Sequence, residues 1–335
     1  MRTLRNILII KPGAIGDVLQ MTPVVRALKK KEPQARITVL VGSAATAGLF
    51  GNNPHVSDTL VYDKRGEHRT VASFAALWRT VRAGRYDLVL NFQRSNLKTW
   101  LLAAAAFPCR VLVYHKSDRL HYHAVENYLD TLAPLGIPRD GLELELFPGP
   151  GDRAFADAAL GGTIPASGPL IALNPGASHA VNRWSAEQFA ALADLLSDRL
   201  GARILIIGGT EDAPLAARIA SGMKKEPLVM TGRASLLQLG ALLERASLLV
   251  TGDTGTMHVA TAVGTRVLAL FGAADPERTG PVGRGHRVLR AENVPCVPCR
   301  KRTCSNNEYL ACMRRIAPER VFQAIVEMLQ EPCEV

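Results

Sequence analysis

Leu248-Leu-Val-Thr-Gly-Asp-Thr-Gly-Thr-Met-His-Val-Ala-Thr-Ala-Val-Gly264 decides how this chain folds. Leu248–Val250 is a short, uninterrupted apolar run, the pattern of a strand buried on both faces. It stops at a polar turn, and an apolar helical stretch that begins with small residues follows at once. Strand, tight turn and helix in that order form half of a βαβ unit, the building block of a parallel sheet. The turn also carries chemistry. N–H groups at a helix start point past the strand end, where an anion is best held, and the Thr hydroxyls are expected to join them. Asp253 stands in the same turn. A carboxylate repels phosphate but suits sugar hydroxyls, so the turn offers donors for a diphosphate beside an acceptor for a sugar. That is the outline of a nucleotide-sugar site.

The same alternation extends in both directions. Asn6–Ile10, Ile37–Val41, Thr59–Tyr62, Leu88–Phe92 and Val111–Tyr114 read as strands, separated by helical stretches near 44–50, 70–83, 97–106 and 123–135. A helix follows the first strand to about Lys31. Beyond two Pro/Gly-rich segments, 147–151 and 161–169, strands recur at 170–173, 203–207, 228–230, 248–250 and 267–271. Ser185 is the expected N-cap of the helix carrying Phe189, Leu192 and Leu196. The fold class is therefore α/β: two Rossmann-like, doubly wound domains, 1–160 and 161–335, with a ligand cleft expected at their strand C-termini. Pro318 opens a final amphipathic helix to about residue 331, a candidate to pack back on the first domain.

Composition narrows the class. The 335 residues suit two domains, and 47% hydrophobic with 21% charged residues is a globular balance. The longest uncharged apolar run, Thr99–Cys109, is about half the roughly 20 residues that a spanning helix needs. The apolar part of the N-terminus is too short for a signal peptide, so a cytoplasmic location is expected. The formal charge of +10 is uneven. Residues 1–160 hold 21 Lys/Arg against 14 Asp/Glu, and the remainder 19 against 16. A basic first half fits an anionic partner. Nucleic acid is not expected, because aromatic residues are only 5% and no recognised binding module is present.

The first turn, Lys11-Pro-Gly-Ala-Ile-Gly-Asp17, resembles a dinucleotide loop only in part. Gly13 and Gly16 leave the G-x-G-x-x-G pattern incomplete, and the second strand runs into Gly42-Ser43 without the acidic residue that would hold a ribose. Asp17 at the helix start has two readings: a carboxylate complementing the helix dipole, or a general base for an attacking hydroxyl.

Four segments in order then resemble a known family: the Lys11–Asp17 turn continuing to Pro23, Asn174-Pro-Gly-Ala-Ser178 with Trp184, Gly208-Gly-Thr-Glu211, and Gly252–His258 with Phe271-Gly272. They look like the family 9 glycosyltransferases, the ADP-heptose:lipopolysaccharide heptosyltransferases, across essentially the whole chain. The resemblance implies a GT-B fold and metal-independent transfer with inversion, with no cofactor beyond the donor ADP-heptose. It makes Asp17 the base, Asp253 the ligand of heptose hydroxyls, and Thr254 and Gly255 the diphosphate turn. His258 is placed near the donor, Ser178 at the departing phosphate and Glu211 on the adenosine ribose, with neighbouring Asp212 leaving that register open. Where the family usually carries a diphosphate-binding lysine, this chain has Asn182, and Arg183 beside it is the alternative cation. The acceptor implied is an anionic lipopolysaccharide core precursor; Arg94, Lys98, Lys116 and Arg119 of the basic first half, with Gly13 and Gly16, are candidates for its side of the site, each cation reading otherwise as an ordinary surface charge. Such an acceptor brings peripheral contact with the inner membrane surface.

Other readings stay open on the residues alone. They are a GT-B transferase using another nucleotide sugar, and a non-catalytic nucleotide- or glycan-binding relative. Cys296, Cys299, Cys304 and Cys312 lie close in sequence. They offer a structural zinc site as an alternative to reduced or partly disulfide-bonded cysteines, although only one close Cys pair is present. His121-x-His123 reads either as a metal pair or as the start of a helix.

Overall fold

The apolar runs form strands because neither face of them meets water: Ile7–Ile10, Leu88–Leu90, Ile171–Leu173 and Leu248–Val250 expose nothing. The structure, a computed structural model, describes residues 3–93, 96–115, 117, 122–161, 168–177 and 179–331. The chain divides into two compact units, Met1–Phe147 and Pro148–Val335.

The first unit contains, in order, β1 (Asn6–Ile10), α1 (Ile15–Leu19), α2 (Thr22–Lys31), β2 (Arg36–Val41), α3 (Ala44–Gly48), β3 (Asp58–Val61), α4 (Val71–Ala83), β4 (Leu88–Asn91), α5 (Leu97–Ala105), β5 (Arg110–Val113) and α6 (Ala124–Asp130). All its strand pairs are parallel, in the order β3-β2-β1-β4-β5. The order reverses between β1 and β4, so Lys11 and Asn91 flank the switch point where ligands of such sheets bind. The single helix expected up to Lys31 is two helices. Pro23 lies in the first turn of α2, where its missing N–H costs nothing, and the chain breaks at Gln20–Met21.

The second unit contains α7 (Pro150–Ala159), β6 (Leu170–Asn174), α8 (Ala186–Leu200), β7 (Arg203–Ile206), α9 (Ala213–Gly222), β8 (Leu228–Val229), α10 (Leu236–Glu244), β9 (Leu248–Thr251), α11 (Gly255–Ala262), β10 (Val267–Leu270), α12 (Pro276–Thr279), β11 (Arg287–Leu289), α13 (Ala311–Arg314) and α14 (Pro318–Gln330). Its parallel sheet runs β11-β10-β9-β6-β7-β8. Here the switch point falls between β6 and β9, whose ends, Asn174 and Thr251, are register partners. Ser185 caps α8 as expected, accepting the Gln188 N–H at 3.2 Å.

The division falls earlier than the expected 160/161. Helix α7 belongs to the second unit because Arg245 grips Asp157 and Arg153 grips Glu244 across its contact with α10. Helix α14 buries Val321, Ile325 and Met328 in the same core as Phe189 and Leu196 of α8. No helix among the described residues is long and apolar enough to cross a membrane.

Candidate active site

In the first unit the β1–α1 turn gathers three side chains. Asp17 stands in the first turn of α1, and its Oδ2 accepts the Ala14 N–H at 3.4 Å. The Lys11 ammonium lies 3.5 Å from Oδ1, and the Tyr128 hydroxyl from α6 donates to that oxygen at 3.4 Å. Lys11 is buried while the Asp17 side chain keeps 46% of its surface open. The carboxylate is thus held from behind and accessible in front. Burial pushes the Lys11 ammonium down, and Asp17 beside it opposes that. The same ammonium sits 4.9 Å from the centre of the Tyr128 ring. Burial, with Asp17 adjacent, pushes the Tyr128 phenol well above its ordinary value, so it remains a donor. Gly13 is required by this packing: a Cβ there would lie 2.9 Å from Asp17 Cβ and 3.0 Å from Oδ2.

In the second unit a hydrogen-bond network fixes the β9–α11 turn. Asn174 Nδ2 donates to Thr251 Oγ1 at 2.9 Å and to Thr254 Oγ1 at 3.0 Å, and the two hydroxyls are 3.2 Å apart. Thr254 Oγ1 also accepts the Met257 N–H. The Thr251 and Thr254 hydroxyls, expected to point at a ligand, are therefore engaged within the protein. Asn174, buried at the adjacent strand end, outcompetes solvent for them. What the turn still offers is backbone: helix geometry gives the Gly255 and Thr256 N–H groups no intrahelical acceptor. Asp253 is mostly buried. Desolvation pushes its carboxyl up to about 6, against the opposing pull of the Thr279 hydroxyl and nearby His179. His258 is buried one helical turn beyond Gly255.

The preceding segment packs directly on this turn. A Cβ on Gly252 would meet the Asn182 carbonyl at 2.7 Å. The Asn182 side-chain oxygen is buried without a hydrogen-bond partner among the described residues, an acceptor that a ligand hydroxyl would satisfy. Arg183 folds back, its guanidinium donating to the Ala177 carbonyl at 3.1 Å. Trp184 anchors the segment, its indole N–H donating to the Ile316 carbonyl at 3.0 Å. Glu211 and Asp212 sit in different surroundings. Asp212 is buried, accepts the Gly209 N–H at 3.0 Å, and fills space that a Cβ on Gly176 or Gly208 would need. Glu211 is the exposed member of the pair.

The remaining residues separate. Gly16 is buried within α1. Lys98 lies on α5 with its ammonium 5.6 Å from the Phe74 ring centre. Arg94, Lys116, Arg119, Ser178 and His121 lie outside the described residues. His123 caps α6, its Nδ1 accepting the Val125 N–H. Cys296, Cys299, Cys304 and Cys312 are free thiols lining one cavity of about 110 Å³. Burial and the other three sulfurs raise the Cys312 thiol, whereas N–H groups of Leu310 and Asn306 lower that of Cys304. Among the described residues no group of three or more His, Cys, Asp or Glu is arranged to hold a metal ion.

Lys11, Tyr128 and Asn174 were not singled out from sequence. Lys11 and Asn174 had a signal, since each is a polar residue ending an apolar strand beside a glycine turn. Tyr128 had none, being 111 positions from its partner.

Two Rossmann-like units, each a parallel sheet with its own switch point, are the architecture of the GT-B fold. The chain belongs to glycosyltransferase family 9 (heptosyltransferase), whose profile matches residues 74–310. It is 26% identical to lipopolysaccharide heptosyltransferase 3 of Escherichia coli, over 88% of this chain and 92% of that protein. A family 9 glycosyltransferase from Veillonella parvula superimposes with a TM-score of 0.86 at 27% identity, covering 98% of both chains. An E. coli heptosyltransferase solved with ADP has the same fold, with a TM-score of 0.73 at 20% identity over 96% of this chain and 99% of that one.

Proposed function

We propose that the protein transfers heptose from ADP-heptose to an anionic sugar of a lipopolysaccharide inner core, inverting the anomeric carbon without a metal ion. The names of its relatives support this reading, as does the ADP in the E. coli heptosyltransferase. An acceptor hydroxyl oxygen bonds to the anomeric carbon as the bond from that carbon to the diphosphate oxygen breaks, with its electron pair leaving on ADP. The hydroxyl proton passes to Asp17. Developing charge on the diphosphate is met by the Gly255 and Thr256 N–H groups and by Arg183, while Asp253 and Asn182 accept from sugar hydroxyls. Glu211 takes the adenosine ribose, and His258 supports the donor turn from below.

The observation that carries the reading is Asp17, a carboxylate fixed by Lys11, Tyr128 and Ala14 yet open on its outer side. Its test is Asp17→Asn. Loss of about 10²–10⁴-fold in kcat is expected, with ADP affinity unchanged. Turnover within a factor of three of the unaltered enzyme would remove Asp17 from the chemistry.

A further inference from the structure

Seven of the nine large hydrophobic residues that stand exposed among the described residues fall between positions 71 and 111, on or beside α4 and α5. On α5 the open apolar positions are Leu97, Trp100, Leu101 and Ala104, continuing to Phe107 and Pro108 past the helix end. That is an i, i+3, i+4, i+7 stripe, the spacing that normally marks a helix face turned inward. Here it faces out: Leu97 is 74% exposed and Phe107 68%. On α4, Val71, Phe74, Trp78 and Arg82 lie along one stripe. The two helices form a joint surface, since Lys98 of α5 lies over Phe74 of α4, and Arg82 of α4 donates to the Ala105 and Phe107 carbonyls.

Its charge has one sign. Residues 68–117 contain eight Lys/Arg and a single acid, Asp87. That carboxylate is taken up by the backbone N–H groups of Arg5 and Asn6 at the start of β1. Exposed Arg69, Arg79, Arg85 and Lys98 lie on or beside the two helices that carry the apolar stripe, with exposed Glu67 the acid next in sequence before them. Two-fold pairing with a second copy would set these cations against their own images. An anionic bilayer instead takes all three components: aliphatic side chains into the acyl boundary, Trp at headgroup depth, and Arg/Lys at the lipid phosphates.

We propose that the joint α4–α5 face docks on an anionic lipid surface and delivers the enzyme to a membrane-anchored acceptor. The delivery step rests on the transferase reading above, whereas the docking does not. The test is co-sedimentation of the full chain with vesicles of phosphatidylglycerol and phosphatidylethanolamine, against phosphatidylcholine alone, without donor present. Binding is expected to the anionic vesicles and to weaken as salt rises. Two exposed-surface variants, L97S/W100S/L101S and R69E/R79E, are each expected to lower partitioning at least tenfold, at roughly fivefold per charge removed for the second. L97S/W100S/L101S should transfer normally to a delipidated, water-soluble core acceptor and poorly to the same acceptor in vesicles. Wild-type protein that stays in the supernatant, or variants that bind as well as wild type, would overturn the docking. So would self-association of the wild type that L97S/W100S/L101S abolishes, which would assign the face to a second copy. Absence of transfer to either acceptor by wild type would instead refute the transferase reading, with vesicle binding still deciding the docking.

Discussion

Gly13 lacks a side chain because the Asp17 carboxylate occupies the volume a methyl group would take. Gly13→Ala should therefore move the base without unfolding the chain. The expected result is a ten- to hundredfold fall in kcat with the donor KM unchanged, measured by steady-state kinetics alongside an unaltered melting temperature. Asp253 gives a pH signature. Its carboxyl binds a proton more readily in the folded chain, near 6, than in the unfolded chain, near 3.8. Between those values the folded state holds more protons, so stability declines as pH rises through the window. Asp253→Asn should consequently melt higher than wild type at pH 8, by on the order of 2 kcal/mol, with the gain gone by pH 4, while transferring heptose poorly. His286 works in the opposite direction. Burial lowers it from 6.5 to about 4, so its contribution falls as pH drops through that range. Thermal melts of the variant between pH 4 and 8 separate the two effects. Asp253 stands out in the sequence as an acid in the turn that ends an apolar strand. Its desolvation does not, since Thr279 and His179 arrive from distant segments.

At the scale of elements, the strands were read correctly where an apolar run is buried on both faces, as β1 and β9 are. Strand β11 was missed because Arg287-Val-Leu289 offers only two apolar residues between charged neighbours, too few to read as an apolar run. The β9–α11 element was legible as a strand, turn and helix, but the direction of its hydroxyls was not. Asn174 lies 77 positions from Thr251, and pattern within a segment carries no information about such a partner. Asn174→Ala would leave the buried Thr251 hydroxyl and the part-buried Thr254 hydroxyl without the amide donor they share. It should cost about 2 kcal/mol of stability and raise the donor KM severalfold, read by denaturant titration and by initial rates. Unchanged KM would mean that the turn holds its shape without the network.

For the molecule as a whole, composition and alternation indicated two α/β units, and each has its own apolar core. The boundary was displaced because α7 follows a Pro/Gly segment that reads as an end yet is tied by ion pairs to α10. Separate cores predict two calorimetric transitions rather than one. ADP should raise only the transition of residues 148–331, in proportion to RT ln(1 + [ADP]/Kd), and UDP or GDP should raise neither. Equal shifts in both transitions would contradict a donor site confined to the second unit. The distribution of tryptophan has a practical consequence. Trp78 and Trp100 sit on the outer face of the first unit, whereas Trp184 is clamped by the Ile316 carbonyl next to Arg183. A chain with phenylalanine at 78 and 100 keeps one indole emitter, fixed in the donor half. Its fluorescence would follow nucleotide occupancy in real time, without any dye.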